Sequence, residues 1–131
     1  MDHTIWRCRC GAVEAEVPTD GFRCVCYCKS CRGFAEACDA SNQLDEWGGS
    51  DLIQVGADKV RIRKGAENLA WTKMTEKGPL RWYTTCCKTP FVNTLATPAL
   101  SFASVQVHNI EDQDALPPVR ARVNLKGAQG H

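Results

Sequence analysis

The stretch Phe22-Arg23-Cys24-Val25-Cys26-Tyr27-Cys28-Lys29-Ser30-Cys31-Arg32 places Phe22, Cys24, Cys26 and Cys28 at every second position and then breaks that period. In an extended chain alternate side chains share a face, so these four point one way until the backbone bends at Lys29 and Ser30. A short helical turn is expected from Arg32 to Ala37. Within the stretch, Cys26, Cys28 and Cys31 combine C-x-C with C-x-x-C. Three thiolates so close in sequence can occupy three corners of a zinc tetrahedron and leave the fourth open for chemistry. The alternative is a closed, purely structural site in which Cys24 takes the fourth corner. Three thiolates on a dication leave a negative site, which Lys29, Arg32 and Arg23 can offset.

The same reasoning extends outward to a second set. Cys8-Arg9-Cys10-Gly11 is a C-x-C pair followed by a glycine that permits a tight bend. Zinc holds thiolates at about 2.3 Å, which separates neighbouring sulfurs by roughly 3.8 Å, so two further donors must arrive from elsewhere. Cys86 and Cys87 are the obvious ones, and this set reads as a structural site tying distant parts of the chain together. Adjacent side chains of an extended strand point to opposite faces, so Cys86 and Cys87 share one ion only if the backbone turns sharply there.

Nine cysteines in 131 residues form clusters, and their odd number fits metal binding better than a disulfide framework. Cys38 stands alone and reads as a core residue. His3, His108 and His131 lack paired ligand spacing, although His3 is near enough to Cys8 to complete a site if Cys86 does not. Asp45, Glu46 and Asp51 read as solvated, and Trp82 and Tyr83 as core aromatics.

The remaining pattern is that of short strands. Thr4 to Val17 alternates around a turn at Gly11, with Val13, Ala15 and Val17 on a buried face and Glu14 and Glu16 opposite. Ile53 to Val55, Lys59 to Arg63, Leu80 to Thr85, Ser101 to Val107 and Val119 to Leu125 read as further strands. Gly48-Gly49-Ser50, Lys64-Gly65 and Lys77-Gly78-Pro79 mark turns. The expectation is an all-β or β-rich fold in a single domain over 1–131, with 111–131 a loosely attached C-terminal segment. A net charge of +1 with no basic block argues against a dedicated nucleic-acid binder. The opening residues lack the pattern of a signal peptide and no apolar run reaches membrane-spanning length, so a cytoplasmic protein without membrane contact is expected.

The three cysteine motifs together resemble the glutathione-dependent formaldehyde-activating enzyme and centromere protein V family. Its pattern is C-x-C-G, then C-x-C-x-x-C with a basic residue, then aromatic-C-x-x-C-G-T-P. Cys8-Arg9-Cys10-Gly11 matches the first part, Cys26 to Arg32 the second, and Cys87-Lys88-Thr89-Pro90 the end of the third. In the third motif Thr84 stands where the family has its first cysteine, Lys88 replaces the glycine, and Cys86 directly precedes Cys87. The stretch Lys77 to Thr94 resembles an uncharacterised bacterial branch of the family rather than its named enzyme.

The resemblance implies a β-tent fold of several short coiled antiparallel sheets around cysteine-ligated zinc, with one or two ions per chain. It implies a structural zinc at Cys8, Cys10 and Cys87 and a catalytic zinc at Cys26, Cys28 and Cys31. The implied activity is that of a carbon-sulfur lyase joining formaldehyde to the thiol of glutathione, or acting on that adduct. Lys77 and Arg81, with Arg32 nearer the metal, are the candidate anchors for the carboxylates of such a thiol. The rival is a non-catalytic zinc module that binds another protein. A redox dithiol at Cys28 and Cys31 is a third reading, weakened by the lack of a thioredoxin-like context.

Overall fold

A computed structural model describes residues 2–95 and 101–128, and its architecture is β-rich with one helix. The strands are β1 (His3–Arg7), β2 (Glu14–Pro18), β3 (Phe22–Cys26), β4 (Ser50–Gly56), β5 (Arg61–Lys64), β6 (Leu69–Thr72), β7 (Leu80–Thr84), β8 (Pro90–Thr94), β9 (Phe102–Gln106) and β10 (Ala121–Val123). Helix α1 (Lys29–Ala37) follows β3 directly. A three-stranded sheet has the order β1-β2-β5, and a seven-stranded sheet the order β10-β3-β4-β9-β8-β7-β6. Neighbours pair antiparallel except β10 and β3, which run parallel, so the expectation of purely antiparallel sheets is corrected at that edge. No helix among the described residues is long and apolar enough to cross a membrane.

The sheets pack face to face because each presents one apolar side. In β2 the alternation read from sequence holds: Ala15 and Val17 are buried, as is Val13 just ahead of the strand. Glu14 lies on the other side, where Arg7 donates to its carboxylate at 2.8 Å. Trp6 stacks on Phe91 of the larger sheet at 4.2 Å between ring centroids, with Ile53, Val55 and Val105 around them. Each such side chain contributes roughly 1.5–3 kcal/mol on full burial.

The helix is longer than the turn expected from Arg32. It begins earlier because the Cys28 sulfur accepts the Cys31 N–H and so caps the first turn. Phe34 and Ala35 are its buried contacts, and it stops at Cys38, followed by Asp39 in a left-handed conformation (φ +53°).

The described C-terminal residues are fastened to β1 and β3 and do not form a loose segment. The Glu111 N–H bonds to Ile5 O, Leu116 is buried, and the Arg120 N–H bonds to Arg23 O. At the end of β10 the Tyr27 N–H bonds to Val123 O, and beyond it Arg32 donates to the Gly127 carbonyl at 2.7 Å. Gly127 lies so close that a Cβ there would sit 2.0 Å from the Tyr27 carbonyl oxygen. His131 lies outside the described residues.

Candidate metal centres

Two hairpin-like turns build the first cysteine group. Between β1 and β2, Cys8 N–H bonds to Val13 O, Gly11 N–H bonds to Cys8 O, and Val13 N–H points at the Cys8 sulfur at 3.3 Å. Gly11 takes φ +81°, which its missing Cβ allows. Between β7 and β8, Lys88 N–H returns to Thr84 O at 2.7 Å and Thr84 N–H bonds to Thr89 O at 3.1 Å. Lys88 itself has φ +54°, so the position where the resembled family has glycine keeps the left-handed backbone with a side chain attached.

That turn is sharp enough to bring adjacent cysteines together. The sulfurs of Cys8, Cys10, Cys86 and Cys87 all lie within 4.8 Å of one another. Cys8 is 3.8 Å from Cys10 and 3.9 Å from Cys86, and Cys86 is 3.9 Å from Cys87. These separations match the roughly 3.8 Å edge of a zinc-thiolate tetrahedron, so the donor set fits a four-coordinate metal. Thr84, at the resembled family's first cysteine, is fully buried; its hydroxyl accepts the Thr89 N–H at 3.0 Å and lies 3.3 Å from the Cys87 sulfur. Burial pushes the Cys87 thiol up, but the hydroxyls of Thr84 and Thr89 and the Cys10 N–H outweigh it and bring it down to about 6.

Arg9, which sequence reading passed over as the spacer between two ligands, joins this site to the helix. Its guanidinium donates to the carbonyls of Cys38, Asp39, Cys87 and Lys88 at 2.7–3.1 Å, and its backbone N–H bonds to the Thr89 hydroxyl. A fork of N–H donors can serve several carbonyls at once, which a lysine cannot.

The second group forms where β3 runs into α1. Cys26 ends the strand, Cys28 caps the helix and Cys31 lies in its first turn, with sulfurs 2.8 Å apart for Cys28 and Cys31 and 3.5 Å for Cys31 and Cys26. Hydrogen bonds from Cys26 and Cys31 hold the Cys28 thiol far below its usual range, while the same sharing, with burial, pushes Cys31 far above it. The positive end of the helix also favours negative sulfur there. Three sulfurs this close at a helix start form a donor set able to hold a soft metal ion, with the Cys28–Cys31 pair spreading from 2.8 Å toward the roughly 3.8 Å edge of a zinc tetrahedron. No further His, Cys, Asp or Glu among the described residues joins either group. Cys24 packs against Cys26 and Cys31 but is not one of the converging sulfurs, so the closed arrangement through Cys24 is not formed.

A cleft of about 330 Å³ opens beside Cys26, Cys28 and Cys31, with Ser30 and Arg81 in its wall. Arg81 is only 2% exposed. It donates to Ser30 Oγ at 2.8 Å, approaches the Cys31 sulfur at 3.5 Å, and lies over the Phe34 ring at 5.8 Å from the centroid. A buried guanidinium needs a counter-charge, and among the described residues no carboxylate pairs with it; the sulfurs supply one. Around a divalent ion, three thiolates leave one net negative charge, which Arg81 cancels. On the far side Asn124, in a left-handed conformation (φ +57°), donates to the Cys26 sulfur at 3.3 Å. No local pattern in the sequence marks Asn124, because its contact depends on the parallel pairing of β10.

The other residues named from sequence lie elsewhere. Lys77 is exposed in the β6–β7 loop and lines no part of the cleft. Arg32 is occupied by Gly127, Lys29 is exposed, and Arg23 forms a two-pronged pair with Asp51 at 3.0 and 2.7 Å. None of the three neutralises the sulfurs; that part falls to Arg81. His3 pairs with Glu16 at 3.1 Å and joins no metal group, His108 is exposed, and Cys38 is buried against Phe34 and Ala40.

The fold and its two sites define a β-rich protein with two cysteine clusters able to hold metal ions. The chain belongs to a family of unknown function, DUF6151, whose model matches residues 3–130. It is similar in fold to a protein of Rhodobacter sphaeroides known from a crystal structure, at a TM-score of 0.59 and 21% identity over 91% of this chain and 99% of that one. None of the curated proteins matches the chain. The resemblance to the formaldehyde-activating family rests on the three motifs alone.

Proposed function

We propose that the protein is a zinc-dependent enzyme of carbon-sulfur chemistry, acting on the adduct of a small aldehyde such as formaldehyde with a low-molecular-weight thiol such as glutathione. The observation that carries this reading is the three-sulfur group at Cys26, Cys28 and Cys31, which lacks a fourth donor among the described residues and borders the cleft lined by Arg81. Zinc held there by three thiolates supplies a Lewis acid with one exchangeable position, suited to lowering the pKa of a thiol or polarising a carbonyl. Cys8, Cys10, Cys86 and Cys87 then serve a second, structural ion. In the reaction the thiol sulfur bonds to the carbonyl carbon, the carbon-oxygen double bond becomes single, and the thiol proton ends on that oxygen. The reverse breaks the carbon-sulfur bond and restores thiol and aldehyde, so neither direction needs an oxidant.

Arg81 contributes through charge: it cancels the single net negative charge that three thiolates leave around a divalent ion. Elemental analysis of untagged protein tests the metal assignment. Two zincs per chain are expected, falling to one in Cys26→Ser, and millimolar thiol should alter coordination at the remaining open position of the unmodified protein. One zinc that survives the substitution, or two that ignore thiol, would leave the non-catalytic zinc module as the reading to adopt.

A further inference from the structure

Among the described residues the smaller sheet ends in β1 and β5 and the larger in β10 and β6. An open edge offers unpaired N–H and C=O groups to any other strand, and proteins blunt it with charge, with short strands or by covering it. β5 carries Arg61, Arg63 and Lys64, and β10 is three residues long and includes Arg122. β1 is covered in part by Ile110, which bridges to Trp6, and by Glu111, whose N–H bonds to Ile5 O. β6 has none of these devices. It reads Leu69-Ala70-Trp71-Thr72, with no charge and no proline, and Trp71 is 52% exposed.

The ladder decides which groups of β6 are free. The Thr85 N–H bonds to Asn68 O, one step beyond the pairing of Leu69 with Thr84. Antiparallel partners alternate between bonded and non-bonded pairs, so Ala70 and Thr72 bond to β7, while Leu69 and Trp71 turn their N–H and C=O outward. The side chains of Leu69 and Trp71 share the face of Trp82, which stands opposite Trp71. A groove of about 230 Å³ opens on that face, with Ile62, Leu69 and Trp82 in its apolar wall.

We propose that β6 pairs antiparallel with β6 of a second copy of this chain, in a twofold dimer that joins the two larger sheets edge to edge. The free groups select a twofold axis through Ala70. Leu69 then opposes the partner's Trp71, and Trp71 the partner's Leu69, with each pair exchanging both of its bonds. A shift of one residue would set an outward group against one already bonded to β7. The partner's Trp71, lying beside Leu69, covers the groove. The same axis brings Glu67, exposed in the turn ahead of β6, opposite the partner's Lys73, exposed just past its end. Moving the axis to Leu69 or to Trp71 would lose this match of opposite charges.

Analytical ultracentrifugation with a phosphine reductant, which prevents disulfide-linked dimers, tests the proposal. So short a strand pair is a small interface, so a reversible dimer is expected. The mass should rise from the chain's 14.5 kDa at about 1 µM toward twice that at about 300 µM. Trp71→Lys puts a charge on the edge and should keep the mass of one chain throughout. Glu67→Lys and Lys73→Glu should each weaken the dimer by about tenfold, and an equal mixture of the two should recover the parent affinity, because the mixed dimer sets opposite charges together at both ends. These positions are exposed and lie outside both cysteine groups, so the metal content of each variant should match the parent and report that it is folded. A parent that keeps the mass of one chain at about 300 µM, or a folded Trp71→Lys that still dimerises, would overturn the proposal. So would a mixture of the two charge variants no tighter than either alone, and that comparison stands even if Trp71→Lys does not fold.

Discussion

Arg9→Ala isolates the contact that joins the first cysteine group to the helix bearing part of the second. The substitution removes four guanidinium bonds to the carbonyls of Cys38, Asp39, Cys87 and Lys88 and a longer one, 3.3 Å, to the Thr89 hydroxyl. Buried hydrogen bonds to a charged donor contribute about 1.5–3 kcal/mol each, but Arg9 is exposed and water can replace it on most of these carbonyls. Discounting each of the five bonds to roughly 0.5 kcal/mol gives a loss of about 2.5 kcal/mol. For a chain of this length that lowers Tm by about 8–12 °C. Thermal melts of metal-loaded protein read the shift, and elemental analysis should show the metal content of Arg9→Ala unchanged. Arg9→Lys keeps the charge without the planar fork and should recover less than half of the loss. A Tm within about 2 °C of the parent would refute the reasoning, since the carbonyls would then be as well served by water. Full recovery by lysine would mean that charge, and not the fork, makes the contact.

Two further outcomes follow from backbone and charge. Lys88→Gly should raise Tm by about 1–4 °C in the same melts, because it relieves a left-handed conformation that costs a side-chain residue roughly 1 kcal/mol, partly offset by the greater freedom of glycine in the unfolded chain; a fall in Tm would show that the Lys88 side chain stabilises the turn. At Asp45, burial works against the charged form, but the Gly49 N–H, the Tyr27 hydroxyl, the Trp47 N–H and Arg122 prevail and hold its carboxyl below the usual 3.8. A depressed folded pKa gives stability that is present above the unfolded value and is lost as pH falls through the folded one. Asp45→Asn should therefore be less stable than the parent near about pH 6, with the difference narrowing toward about pH 3; a constant difference across that range would deny the carboxylate this part.

The β-rich class was legible because the apolar alternation of β2 and the turn chemistry at Gly11 are local, and both recur in the structure. The grouping of the cysteines was legible for the same reason, since C-x-C next to a bend and C-x-x-C on a helix start bring their own sulfurs near one another. Cys86 and Cys87 are a partial case: the need for a sharp turn could be stated from sequence, but only the backbone shows that Lys88 supplies it with a left-handed residue. Arg81 could be named but not placed. Nothing in Leu80-Arg81-Trp82 distinguishes an arginine reaching for a solvent-borne carboxylate from one buried against sulfur; that depends on the register opposite Asn93, just ahead of the bulge at Trp82 and Tyr83. Asn124 and the fastening of residues 111–128 were illegible because a parallel strand of three residues leaves almost no periodic signal.

The two cysteine groups also differ in how their surroundings constrain them, and that difference bears on function. The first is gripped from both sides by turns of adjacent hairpins and by Arg9, with four sulfurs at tetrahedral spacing, so a metal there has its coordination filled by the chain. The second is covered on one side by the C-terminal residues, through Asn124 on Cys26 and through Gly127 against Tyr27, and faces the cleft on the other. Covering one side while the cleft opens on another leaves an incoming ligand one direction of approach, through the cleft beside Arg81. A closed structural metal has no use for such a direction, nor for a buried arginine with one nitrogen unspent. The asymmetry between the groups is what the proposed chemistry at Cys26, Cys28 and Cys31 needs, and it does not depend on the motif resemblance.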